Sequence, residues 1–226
     1  TTWAYTGRTG TGSRNTTSYG RTMAERLASQ LASHGLTVVS GFARGVDRSA
    51  HEGAIRAGGG TVAVLGCSLD MDYPSGHGDL RKAVAAHGCL VSEFPIGTAP
   101  AEYTFPRRNR LISGISLGVV VVEAMEKSGA LITARHAMEQ DREVFAVPGP
   151  ITSSLSKGPY DLIRKGAKLV TSAQDIISEL GISNIKFQIS NKTQKVQTAD
   201  KNENLILKLL ENEPLNFDEI VRRSKI

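Results

Sequence analysis

The chain has 226 residues, 40 % hydrophobic and 22 % charged, enough to bury a core and too apolar for general disorder. Lys and Arg total 27 against 22 Asp and Glu, a formal charge of +5 that admits a polyanionic partner without demonstrating one. No apolar run nears the ~18 to 20 residues of a membrane span, and the opening Thr1-Thr2-Trp3 lacks the basic-then-apolar order of a signal peptide. A cytoplasmic location away from the membrane is expected.

Short apolar runs alternate with helical patterns along most of the chain. Thr37–Ser40, Thr61–Leu65, Cys89–Ser92, Leu117–Val122 and Val144–Val147 each fit a strand buried on both faces, since helices on both sides of a parallel sheet make its strands continuously apolar. Helices are predicted over Tyr19–His34, Asp47–Ala57, Asp79–Ala86, Arg107–Ile115 and Ala130–Gln140. In the first, Met23, Leu27 and Leu31 recur every four residues with alanines beside them, a stripe suited to packing on a sheet. The alternation continues through Tyr160–Lys165, Lys168–Val170 and Ala173–Leu180. Strand–helix repetition of this kind implies a doubly wound α/β domain with a mostly parallel sheet, spanning residues 1–180. Cys67 and Cys89 adjoin expected strands without metal-ligand spacing and are read as reduced core residues.

Residues 181–202 turn polar and are read as a linker. Residues 203–226 follow with two short helical patterns, the second behind an expected Asn216 cap. They resemble the opening of a helix-turn-helix or winged-helix segment, incomplete and too small to bury a core alone.

Four features fall where strands of such a sheet end, the side on which ligands of open α/β folds bind. Gly10-Thr-Gly12-Ser13-Arg14 offers backbone amides and a bidentate donor to a phosphate, the alternative being a tight turn that binds nothing. Ser40-Gly41-Phe-Ala-Arg44-Gly45-Val-Asp47 combines small residues with the start of a helix; Asp47 as a cap and His51 as a satisfied core histidine are the plain alternatives. Arg107, Arg108 and Arg110 cluster at an expected helix start, where cations oppose the macrodipole unless an anion meets them; a solvated basic face is the alternative. Glu123-Ala-Met-Glu-Lys127-Ser128-Gly129 follows the strongest strand and opens another helix. Arg107 and Arg110, three residues apart, share a helix face, so Arg108 is expected to turn inward and pair with Glu93 or Glu123. Glu123 lacks a matched base or nucleophile nearby, no nucleophile elbow occurs, and the histidines show no metal spacing. The residues therefore point to a binding protein rather than an enzyme, with no cofactor and no metal.

These motifs, together with Tyr73-Pro74, Ser92-Glu-Phe-Pro95, Phe105-Pro-Arg-Arg-Asn-Arg-Leu-Ile-Ser-Gly114, Ser128-Gly-Ala-Leu-Ile-Thr133, Val147-Pro-Gly149 and Leu162-Ile-Arg-Lys-Gly-Ala167, resemble the DNA-processing protein A family (DprA, also called Smf) over residues 12–180. The resemblance implies an extended Rossmann-like domain that binds single-stranded DNA, protects incoming DNA and helps load the RecA recombinase in natural transformation. It also implies a homodimer through the late part of the domain, for which Tyr160, Ile163 and Leu169 are the candidates. Gly12, Ser13, Arg14, Ser40, Gly41, Arg44, Gly45, Arg107, Arg108, Arg110, Lys127, Ser128 and Gly129 are the candidate DNA- and phosphate-binding residues. Two departures stand out. Thr6–Thr11 is polar and glycine-rich where an apolar strand usually enters the Gly-Ser-Arg turn, which leaves the first strand open, and Tyr160 stands where asparagine is common. The other reading is a nucleotide phosphoribohydrolase-like enzyme on a related Rossmann variant, against which the Pro-Gly-Gly-x-Gly-Thr loop of those enzymes is absent.

Overall fold

A computed structural model describes residues 2–6, 16–182 and 222–224. The chain divides into two units, Thr1–Lys186 and Phe187–Ile226. In the second, the described residues 222–224 are helical, as expected for the end of the second helical pattern; the expected Asn216 cap, most of the linker and the rest of the paired helices lie outside the described residues.

Among the described residues of the first unit, seven strands and seven α-helices alternate. The strands are β1 (Thr2–Thr6), β2 (Thr37–Ser40), β3 (Thr61–Val64), β4 (Gly88–Val91), β5 (Gly118–Val121), β6 (Glu143–Ala146) and β7 (Lys168–Leu169). The helices are α1 (Ser18–Ser33), α2 (Val46–Arg56), α3 (Gly78–His87), α4 (Thr104–Gly114), α5 (Gly129–Glu139), α6 (Lys157–Arg164) and α7 (Ala173–Glu179). Every strand pair is parallel, in the order β4-β3-β2-β1-β5-β6-β7. The chain thus winds outward one way from β1, returns, and winds the other way from β5. This reversal makes the gap between the carboxyl ends of β1 and β5 the topological switch point.

The two sheet faces follow from the two-residue period of strands. Val38, Val120, Val122, Phe145 and Val147 face α1, α2 and α7, packing on Leu27, Leu31, Ala50 and Ile176. Their neighbours Val39, Val119, Val121, Val144 and Ala146 face the opposite way, onto Ile112 of α4, Ala130, Ala134 and Ala137 of α5, and Leu162 of α6. Phe42, Ala63 and Leu65 form a third cluster with Leu80 and Val84 of α3. α1 is capped by Thr17, whose side chain accepts from Gly20 N at 3.0 Å, and α7 opens with a capping box between Ser172 and Asp175.

One open question is answered here and two expectations are corrected. Thr2–Thr6 does form a strand, and it sits in the middle of the sheet between β2 and β5. β4 is not buried on both faces: it lies at the sheet's edge with one partner, and Cys89 on it is exposed, whereas Cys67 is buried. Finally, α4 starts at Thr104 rather than at the arginines. Pro106 is accommodated because the first four amides of a helix have no intrahelical acceptor. The arginines therefore sit beyond the first residues of the helix, where the macrodipole has largely faded, and that argument for an anion loses its force.

Candidate functional site

The carboxyl ends of β2 and β3 are organised around one buried guanidinium. Arg108 is 1 % exposed. Its Nη1 donates to Gly41 O at 2.8 Å and to Val64 O, and its Nε donates to Asn109 Oδ1 at 3.1 Å. Burial lowers its pKa to about 10, a shift that the Asp47 carboxylate opposes, so it stays protonated at neutral pH. Asp47, equally buried, accepts from Ala43 N at 3.1 Å through Oδ2. A Cβ on Gly41 would stand 2.7 Å from Arg108 Nη2 and 2.9 Å from Asp47 Oδ2, so only glycine leaves room for both charges. Gly45 has φ +87°, and a Cβ there would meet Thr16 Oγ1 at 2.1 Å. This turn, from Gly41 to Gly45, is thus packed directly against the residue that enters α1.

Arg108 turns inward as its helical position predicts, but the carboxylate beside it is Asp47 rather than Glu93 or Glu123. Glu93 takes Arg107 at 3.6 Å and Arg110 on the outer face of α4. Arg107 also lies 5.7 Å from the centre of the Phe94 ring. Two exposed cations thus share one carboxylate, which leaves this face with positive excess. Among the described candidates for phosphate contact, Arg108 is the one whose guanidinium is spent on interior carbonyls.

Asn109, which the sequence reasoning missed, extends the network. Its Nδ2 donates to Gly129 O at 3.3 Å at the start of α5. Consecutive residues of α4 therefore touch both the turn after β2 and the turn after β5. Ser128 caps α5, accepting from Ala130 N at 3.3 Å, while Lys127 is exposed. Arg44 is exposed and donates to Ser75 O at 2.8 Å, and Ser40 is buried at the end of β2. Gly12, Ser13 and Arg14 lie outside the described residues.

At the switch point, Glu123 is 7 % exposed and accepts from Thr17 N at 3.2 Å and from Thr17 Oγ1. A carboxylate of this chain therefore sits at the amino end of α1, the position that a phosphate takes in dinucleotide-binding folds. Gly20 leaves room for it: a Cβ there would lie 2.2 Å from Glu123 Oε2, and the carboxylate would have to shift. Tyr19 Oη donates to Pro148 O at 2.5 Å and Tyr160 Oη to Gly149 O. Burial, then the charge of Glu123, raise the Tyr19 pKa. Tyr160 is therefore directed toward the loop after β6. Of the other two pairing candidates, Ile163 packs partly on the core and Leu169 is exposed on the edge strand β7.

His51 belongs to the interior. Thr61 Oγ1 donates to Val38 O at 2.9 Å, so it must accept from His51 Nδ1, 2.7 Å away. His51 Nε2 has no partner, and burial, reinforced by His77, lowers the imidazole pKa to about 3. Phe42, with φ +62°, lies between the two histidines, its ring centre 5.8 Å from His51 and 5.3 Å from His77. It is a core residue, while Phe105 is half-buried against Tyr73 at 5.6 Å. Among the described residues, no group of three or more His, Cys, Asp or Glu is placed to hold a metal ion, and no helix is long and apolar enough to cross a membrane.

Residues 9–181 match the family described as DNA recombination-mediator protein A. Protein Smf of Escherichia coli is 48 % identical over 170 residues, covering 75 % of this chain and 46 % of that protein. DNA processing protein DprA of Bacillus subtilis is 44 % identical over 176 residues, 78 % of this chain and 59 % of that one. The chain thus spans about half the length of the curated relatives it matches. Among solved structures, DprA of Streptococcus pneumoniae superposes with a TM-score of 0.71 at 41 % identity, covering 78 % of this chain and 60 % of that one. DNA processing protein A of Helicobacter pylori, whose structure is described in terms of its single-stranded DNA binding mode, gives 0.70 at 31 % identity over 80 % of each chain. The molybdenum cofactor carrier protein of Chlamydomonas reinhardtii shares only the Rossmann-like fold, at 20 % identity and a TM-score of 0.54 over 80 % of this chain and 96 % of that one. The sheet order, the strand-end turns and this match over most of the sequence lead to one conclusion: the chain belongs to the DNA recombination-mediator protein A family.

Proposed function

We propose that the protein binds single-stranded DNA along the carboxyl edge of its sheet, protects it, and helps load the RecA recombinase in natural transformation. The observation that carries this reading is the set of exposed cations Arg44, Arg107, Arg110 and Lys127 on loops and helix turns at that edge. They lie beside turns whose glycines bring the backbone close to the surface. Such groups meet phosphates without reading bases, so sequence preference is weak and affinity depends on salt. The kinship with the H. pylori protein supports the same ligand. In this reading Gly12, Ser13 and Arg14 extend the track, and the protein works in the cytoplasm as a binding protein without a chemical step. It pairs two-fold through residues 158–171, where Leu169 is exposed on an edge strand.

A mobility-shift titration of single- against double-stranded oligonucleotides, repeated across a salt series, tests it. Tighter binding of the single strand, weakening linearly in log affinity against log salt, is expected. Equal binding of the two forms, or none, overturns the reading. Light scattering at tens of micromolar checks the pairing, a monomer counting against it. Faster RecA filament growth on protein-bound single strands checks the loading role.

A further inference from the structure

We infer that Arg108 and Asn109 are positioning residues that lock the turns after β2 and β5 to each other, so that both present their backbone to one ligand. The inference rests on the DNA-binding reading for its ligand and on geometry for its mechanism. Arg108 holds Gly41 O at 2.8 Å and also Val64 O, and it donates to Asn109 Oδ1 at 3.1 Å. Asn109 in turn holds Gly129 O at 3.3 Å. One continuous chain of hydrogen bonds therefore runs from Gly41 through two adjacent α4 side chains to Gly129. Asp47 reinforces the near end, fastening Ala43 N at 3.1 Å while its charge favours the buried guanidinium.

Each link fits its place chemically. A guanidinium carries several donors in a rigid plane and can serve two carbonyls and an amide oxygen at once, whereas a lysine ammonium is a compact point charge on a flexible stem. The Asn carboxamide accepts on one atom and donates on the other, as this relay demands. Both residues are 1 % exposed, so neither is placed to touch a phosphate. Their effect on binding must pass through the turns.

The test compares wild type with Arg108→Ala, Arg108→Lys and Asn109→Ala, using a fluorescent oligothymidylate of about 40 nucleotides in a salt series, together with amide hydrogen exchange. Expected for Arg108→Ala and Asn109→Ala is roughly ten-fold weaker binding at constant salt, with the log–log salt slope kept, because no phosphate contact is lost. Losing a direct contact would lower that slope by roughly 0.7 for a single strand. Arg108→Lys should recover less than half of the loss. In Asn109→Ala, exchange should quicken several-fold in the peptides covering 41–45 as well as 125–130, although Asn109 touches only the second turn. Wild-type affinity in folded variants, a slope reduced by a whole contact, or quickened exchange confined to 125–130 would each overturn the relay. Should Arg108→Ala fail to fold, Asn109→Ala and Arg108→Lys decide. Failure of the wild-type protein to bind DNA would count against the proposed function alone, since the exchange experiment reads the coupling without DNA.

Discussion

The turn after β2 is held from the interior by charged side chains, whereas the turn after β5, beyond the buried Glu123, is held by backbone and by the neutral Asn109 and turns Glu126 and Lys127 outward. In the first, Arg108 and Asp47 lie under Gly41–Gly45 in a site closed to solvent. In the second, Ala124 N donates to Leu155 O at 2.8 Å and Gly158 N donates to Ala124 O at 2.9 Å, while Met125, Glu126 and Lys127 are exposed. Glu126 meets Lys157 at 3.5 Å in an exposed pair of small energetic weight. The contrast shows two uses of charge at one sheet edge. Buried charge fixes backbone and is costly to disturb, whereas surface charge is cheap to remove and available to a ligand.

The sharpest way to break this comparison is to delete the interior charge. Arg108→Ala strands the buried Asp47 carboxylate and should lose about 3 to 5 kcal/mol in urea unfolding. A loss comparable to that of an exposed arginine would mean that water already reaches the site. Acid gives a second, smaller probe of the same interior. His51 titrates near 3 when folded against an ordinary value near 6.5, so the unfolded chain takes up the proton first as pH falls. Stability from this group is complete above pH 6.5 and declines as pH drops toward 3. At pH 5 the loss relative to pH 7 should be about 2 kcal/mol larger for wild type than for His51→Asn. Equal pH profiles for the two proteins would remove His51 from the account.

Thr17→Ala tests the switch point, where one hydroxyl both caps α1 and supplies one of the two hydrogen bonds from Thr17 to Glu123. Its cost should be about 1 to 2 kcal/mol in the same unfolding assay. The least effect on stability is expected for Arg110→Ala and Lys127→Ala, within about 0.5 kcal/mol. Each should nevertheless lower the single-strand salt slope by roughly 0.7 if it meets a phosphate. An Arg110→Ala protein that melts early with an unchanged slope would reverse the division between inner and outer charge.

Central strands were readable because burial on both faces writes itself as an unbroken apolar run, as in Val119–Val122. Thr2–Thr6 carries no such run, and pairing with β2 and β5 on either side makes it a strand all the same. Cys89-Leu90-Val91 looks like its neighbours in sequence, yet with β3 as its single partner it is largely exposed. At the candidate site, helical spacing sufficed to separate Arg107 and Arg110 from Arg108, because positions three apart share a face and adjacent ones do not. It did not identify Asp47 as the carboxylate beside Arg108, because that choice joins residues 61 positions apart on different elements.

By itself, then, the sequence determined the alternation of strands and helices, the parallel class of the sheet, the glycine-bearing turns and the family. All of these are written in local period and local motif. Only the tertiary structure decided where β1 and β4 stand in the sheet and which carboxylate lies beside the interior arginine. It alone placed the Glu123 carboxylate at the amino end of α1 and brought Asn109 to Gly129. The physical reason is that pairing order and buried polar partners are set by long-range packing, which joins groups that no sequence window contains together.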